Sequence, residues 1–211
     1  MRSEKAGRPR RKRAGQYNHG DLRRALIEQA LRTIDRHGAE GLTLRGVGEA
    51  LGVSRTALYR HFADKQTLMA AVALEGFESL RDELATTWAS RGRGIAGFEA
   101  MAEAYLRFAI GHPAHYRVMF GRLVDTCALG EDLERLSAAA FHVLVDALVE
   151  LQRDGLVRAD DARLQAQFVW SVTHGIAMLV IDGRLGDDPQ VGTTVNRYAA
   201  EQIRRALTSP A

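Results

Sequence analysis

The sequence is short of several things, and each shortage excludes a class of protein. Cys127 is its single cysteine, so no intramolecular disulfide can form and a reducing compartment is compatible. No apolar run approaches the length of a bilayer span, a run such as Ile176 to Ile181 being far too short. No hydrophobic stretch follows the charged N-terminus, which argues against a secretory signal. A cytoplasmic protein without a membrane partner is therefore expected. No segment shows convincing period-2 alternation, which leaves little room for strands. Neither a nucleophile with its base nor a pocketed pair of carboxylates has a local signature, so no enzyme is expected. Lysine is scarce, three of 29 basic residues, but coding bias explains an arginine excess as readily as chemistry does.

What is present is unevenly placed. The net charge of +3 combines +6 over residues 1–16 with −3 over the remaining 195. The basic residues of that stretch include Arg8, Arg10, Arg11, Lys12 and Arg13, with Glu4 the one acid. A tail of this kind is an electrostatic footprint for a polyanion, although a solvated extension would have the same composition.

Behind the tail the apolar spacing is helical nearly everywhere. Leu22, Leu26, Ala30 and Ile34 recur every four residues, with Gly38 as a C-cap. Two short helices follow. A long fourth helix, from Asp64 or Lys65, carries Leu68, Val72, Leu80, Leu84 and Trp88, and the Arg91-Gly92-Arg93-Gly94 stretch breaks it. Phe98, Ala102, Tyr105, Leu106 and Ala109 mark a fifth helix, and Pro113 suits the first turn of a sixth bearing Tyr116, Met119, Phe120 and Leu123. Leu133 to Leu151 define a seventh, Asp160 is placed to cap an eighth, and Val195 to Leu207 form the last. The expected fold is all-α, about nine helices in two parts.

The two short helices carry the chemistry. Thr43 caps the first, which turns Leu44, Val47 and Leu51 inward, and Gly52 ends it with a left-handed turn. Ser54 caps the second, and Val53 and Leu58 stand at the spacing of a hydrophobic staple. Leu58 and Phe62 face the first helix. The opposite face offers Arg55, Thr56, Tyr59 and Arg60, with no acid among them. An arginine there can fork onto guanine, and hydroxyls suit phosphates. A plain helical hairpin would not explain the missing acids or the basic arm in front. The pair is read as a helix-turn-helix.

The run Thr43 to Lys65, and above all its Tyr59-Arg60-His61-Phe62-x-x-Lys65 ending, resembles the DNA-binding domain of TetR-family regulators. The likeness extends from Tyr17-Asn18-His19-Gly20-Asp21 through the fourth helix. It implies Thr43, Arg45, Ser54, Arg55, Thr56, Tyr59, Arg60, His61 and Lys65 as candidate DNA contacts. Tyr59 and Lys65 would grip phosphates, and Arg45 and Arg55 would read bases. Lys65, opening the fourth helix, would tie the backbone grip to that helix's tilt. Gly48 departs from the family's usual alanine, and with Gly46 it costs each up to roughly 1 kcal/mol of helix propensity, predicting a softer helix. In the arm, Gly7-Arg8-Pro9-Arg10 resembles hooks that lie in narrow minor grooves, placing Arg8 and Arg10 among the candidates.

His112-Pro113-Ala114-His115-Tyr116 and Trp170-x-x-x-His174-Gly175 resemble a TetR C-terminal subgroup marked by Trp…His-Gly. That resemblance implies a helical effector and dimerisation domain pairing through its last two helices. Trp170 and His174, four apart, share a helix face. With Tyr105, Phe108, Tyr116, Met119, Phe120, Phe141 and Met178 they are candidate pocket residues, plain core packing being the alternative for each one. His112 and His115 lack a visible third ligand, so no metal is expected, and no cofactor. Nothing visible lowers the pKa of Cys127, so a redox role is not expected.

The expected organisation is an arm over 1–16, a helix-turn-helix domain over 17–65, a connecting helix and linker over 66–93, and a ligand-binding and dimerisation domain over 94–211. The expected function is a homodimeric repressor, released from a palindromic operator by an unidentified small apolar effector. An activator, a regulator controlled by a protein partner with a filled core, a helical enzyme and a non-DNA adaptor are the alternatives.

Overall fold

Helical periodicity becomes nine helices, and no strand, among the described residues of a computed structural model, namely 19–121, 130–186, 188 and 190–208. They are α1 (His19–His37), α2 (Leu44–Leu51), α3 (Arg55–His61), α4 (Lys65–Ser90), α5 (Ile95–Gly111), α6 (Pro113–Phe120), α7 (Gly130–Arg153), α8 (Ala162–Ile181) and α9 (Val191–Thr208). The arm with Arg8 and Arg10, and also Tyr17, Asn18, Leu123 and Cys127, lie outside the described residues.

The chain divides into two units, Met1–Leu68 and Met69–Ala211, the division falling inside α4. In the first, Leu22, Leu26, Ile27, Ala30 and Ile34 of α1 are buried with Leu44 and Val47 of α2, Leu58 of α3, and Phe62. Gly38 adopts φ +71°, the left-handed conformation that closes a helix. The Lys65 ammonium donates to the Ala39 carbonyl at 2.8 Å, and the Arg23 guanidinium lies 5.6 Å from the Phe62 ring centre.

α4 begins with a reciprocal cap. The Thr67 amide donates to Asp64 Oδ1 at 2.8 Å, while the Asp64 amide donates to Thr67 Oγ1 at 3.1 Å. Bonds donated by the Thr67 amide and hydroxyl to Oδ1 hold the Asp64 carboxyl below its ordinary pKa.

In the second unit α8 is central, packed against α5, α7 and α9, and α5 also packs against α9. Buried Leu106, Leu148, Leu151, Ala166, Val169, Ile176 and Ile203 form much of its core. The cap of α8 is Asp161, one residue after the expected Asp160: its Oδ1 accepts from the Arg163 and Leu164 amides, while Asp160 accepts from the amide of Asp161. Gln152 donates to the Asp160 carbonyl and to Gln165 Oε1, fixing the loop between α7 and α8.

Taken whole, α8 is long and apolar enough to cross a membrane, although its uninterrupted apolar runs are short. Its apolarity serves several packed faces and leaves one over: Leu164, Phe168 and Leu179 are exposed along it.

Candidate nucleic-acid interface and apolar chamber

The two short helices owe their positions to local chemistry. Thr43 Oγ1 accepts from the Gly46 amide at 3.0 Å, and Ser54 Oγ accepts from the Ala57 amide at 3.2 Å. Gly52, at φ 67° and ψ 28°, turns the chain between them. Gly48 is buried, and a Cβ there would stand 2.9 Å from Leu58 Cδ2. Its missing side chain is therefore the seat of Leu58, a packing role that offsets part of its propensity cost.

With Leu58 and Phe62 fixed inward, Arg55, Thr56, Tyr59 and Arg60 are exposed together. Tyr59 is 47% exposed, a large ring with no core to fill. Thr43 is exposed and Lys65 and His61 are half-buried. Arg45, Arg55 and Tyr59 line one shallow cleft between α2 and α3. So does Glu49, which the sequence reading passed over. The Arg45 guanidinium bonds it at 2.6 Å, which raises the arginine's pKa. The i,i+4 spacing of the pair was the available signal. Among the cationic candidates, Arg45 is thus engaged by Glu49 and Lys65 by the Ala39 carbonyl.

The second unit holds a chamber of about 810 Å³ that is open to solvent on the side of Glu131 and Glu134, both exposed. Tyr105, Met119, Phe120, Phe141 and Trp170 line it. Phe108 and Met178, expected on its wall, are not among its lining residues. Phe108 is buried against the His112 ring, and Met178 packs on the core. Tyr116 and His174 stand behind the wall instead of in it. The sequence reading had not assigned Phe77, Leu80 and Leu84 of α4 to the chamber, nor Glu131, Glu134 and Ser137 of α7. No local pattern marks these six, because the chamber exists only where α4, α5, α6, α7 and α8 converge. At Gly76 a Cβ would stand 2.5 Å from Met119 Sδ, so the missing side chain lets α6 lie close on this part of α4.

Behind the wall runs a chain of hydrogen bonds. Trp170 Nε1 donates to Tyr105 Oη at 3.1 Å, the two tyrosine oxygens are 2.9 Å apart, and Tyr116 Oη is 2.7 Å from His174 Nδ1. Indole can only donate, and the order that gives every hydroxyl proton an acceptor while using the shortest contact, that of Tyr116 with His174, is Trp170 to Tyr105, Tyr105 to Tyr116, Tyr116 to His174. His174 is then neutral, with its proton on Nε2. Burial favours that state, lowering the imidazole pKa and pushing the Tyr105 phenol up to about 12 and the Tyr116 phenol higher still. His112 and His115 sit edge to face, their ring centres 5.9 Å apart.

A seven-residue helix held outward by a capping serine, its face made of donors and an aromatic hydroxyl, is the reading head of a helix-turn-helix DNA-binding regulator. Residues 26–72 match the model for bacterial regulatory proteins of the tetR family, and residues 98–203 match that for the tetracyclin repressor-like C-terminal domain. The chain belongs to the TetR family of transcriptional regulators. It is 30% identical over 186 residues to an HTH-type transcriptional regulator of Mycobacterium tuberculosis, Rv0681, covering 87% of this chain and 82% of that one. It is also 30% identical to the HTH-type transcriptional repressor AcnR of Corynebacterium diphtheriae, over 82% of this chain and 84% of the relative. A solved structure from Rhodococcus sp. RHA1, of unknown function, aligns with TM-score 0.81 and 31% identity, covering 92% of this chain and 98% of that one.

Proposed function

We propose that the protein is a homodimeric repressor whose operator is released when a small, largely apolar effector fills the chamber. The acid-free outward face of α3 carries this reading, with Arg55 as base reader and Tyr59 as phosphate contact. The working parts are an arm over 1–16, a reading head over 17–65, a connecting helix and linker over 66–93, and an effector and dimerisation region over 94–211.

Three arguments support the finer points. The relative named a repressor favours repression over activation. One seven-residue recognition helix reads too few bases for a specific site, so two heads are needed, and the exposed apolar stripe on α8 offers the surface for pairing. A single helix, α4, carries Lys65 at its first residue and Phe77, Leu80 and Leu84 on the chamber wall. A ligand that binds the two tilts of α4 unequally shifts the equilibrium between them, as coupling requires.

The test is a titration of the intact chain against its own upstream DNA at several salt concentrations. The log of the binding constant should fall steeply with log salt. Deleting residues 1–15 should flatten the slope by about 0.9 for each phosphate that the arm neutralises. Binding that is absent or indifferent to salt would remove the proposal.

A further inference from the structure

The polar groups around the chamber are sorted by sign. On the side of α5, α6 and α8 the Trp170 N–H is spent on Tyr105, the Tyr105 hydroxyl on Tyr116, and the Tyr116 hydroxyl on His174, with the imidazole Nε2–H outside that chain. Burial also holds both phenols protonated, so this side carries no charge of its own. A carboxylate or carbonyl on a ligand would have to break that chain to be satisfied by the three donors in it, leaving buried polar groups unpaired. On the α7 side the lining is Glu131, Glu134 and Ser137. No lysine or arginine is among the lining residues described. Arg135, the basic residue nearest in sequence, bonds Asp132 at 2.8 Å, and Arg163 stands over the Phe141 ring without joining the lining.

Helix electrostatics explain only part of this. Glu131 lies in the first turn of α7, where an acid complements the helix dipole, but Glu134 lies beyond that turn and faces the same space. The rings of Phe77, Phe120, Phe141 and Trp170 line the same space, and their π faces attract positive charge.

We propose that the chamber selects lipophilic cations: molecules with a bulky apolar or aromatic body and one permanent or protonated positive charge lying toward Glu131 and Glu134. This rests on the chamber being the effector site, and it narrows "apolar effector" to one charge class. Apolar area supplies affinity, and the two carboxylates supply the choice of sign. Among the described lining residues an anion of the same shape meets two acids and no lysine or arginine, whereas a neutral molecule meets the apolar wall alone.

Ions matched in shape and opposite in charge provide the test. Tetraphenylphosphonium, tetraphenylborate and neutral triphenylmethanol are titrated calorimetrically into the intact chain near physiological salt, with release of upstream DNA measured in parallel. The phosphonium should bind about ten-fold or more tighter than the borate, since two partly solvated carboxylates act at short range. The Glu131→Gln/Glu134→Gln double variant, its fold checked by circular dichroism, should narrow that preference several-fold. Equal or tighter binding of the borate or the alcohol overturns the proposal, as does a preference unchanged in the double variant. If the alcohol binds and releases DNA while the cation is not favoured, the charge class is overturned and the effector reading stands. Cation binding that depends on the two acids but releases no DNA supports the charge class and removes induction. Failure of all three probes to bind overturns the charge class.

Discussion

At the scale of the residue, Tyr116 holds the polar interior of the second unit together. It is fully buried, and its hydroxyl both accepts from Tyr105 and donates to His174. Tyr116→Phe leaves the His174 nitrogen and the Tyr105 hydroxyl to a longer contact of 3.2 Å. It should cost about 1–3 kcal/mol of unfolding free energy, read by urea denaturation. His174 adds a pH dependence whose sign follows from burial. Its folded pKa lies below the ordinary 6.5, so below that pH the unfolded chain binds the additional proton and stability falls. A proton on Nδ1 also ends its role as acceptor. The melting temperature should therefore decline as pH drops below about 6.5, and His174→Gln should remove part of that decline. At the reading head, Tyr59→Phe should weaken operator binding while sedimentation shows an unchanged oligomer. Equal affinity would discard Tyr59 as a contact.

At the scale of the element, α2 and α3 depend on caps and on one absent side chain. Ser54→Ala removes the bond to the Ala57 amide and should destabilise the first unit by about 1 kcal/mol, measured by thermal unfolding. The Arg45–Glu49 pair sets a different test. If Arg45 reads a base, its guanidinium must leave Glu49, and both side chains are well exposed. Glu49→Gln should then tighten operator binding by roughly a factor of a few, because the arginine is released and a charge repelled by phosphate is removed. Looser or unchanged binding would count against Arg45. Gly48 sets a propensity cost beside a packing role: a small residue is what close helix packing needs, and the buried glycine makes room for Leu58.

At the scale of the whole molecule, the charge is divided between a basic arm at +6 and the rest at −3, and the apolar surplus lies on α8. Leu164 is 62% exposed and Phe168 48%, large apolar side chains on the face proposed for pairing. For the proposed homodimer, Leu164→Glu/Phe168→Glu should yield a folded chain that sediments as a monomer and loses most operator affinity, since each half-site then binds alone. A dimer unaffected by this pair of charges would move the interface elsewhere.

Features that depend on neighbours three or four residues away were legible in the order of the amino acids. Helical periodicity, the caps at Thr43 and Ser54, the left-handed turns at Gly38 and Gly52, and the outward face of α3 all follow from i,i+3 and i,i+4 geometry. So did the pairing of Trp170 with His174 on one face of α8, though not what they touch. Even the misplaced cap of α8 was one residue away, Asp160 and Asp161 being chemically alike until the backbone chooses between them. Only the tertiary structure decided the chamber. Its wall is drawn from five helices, and which side of each faces the space depends on how all five pack. Phe108 and Met178 therefore turned elsewhere, Phe77, Leu80 and Leu84 of α4 turned in, and Glu131 and Glu134 gave the space a sign. Periodicity shows that a helix has an apolar side; packing determines what that side meets.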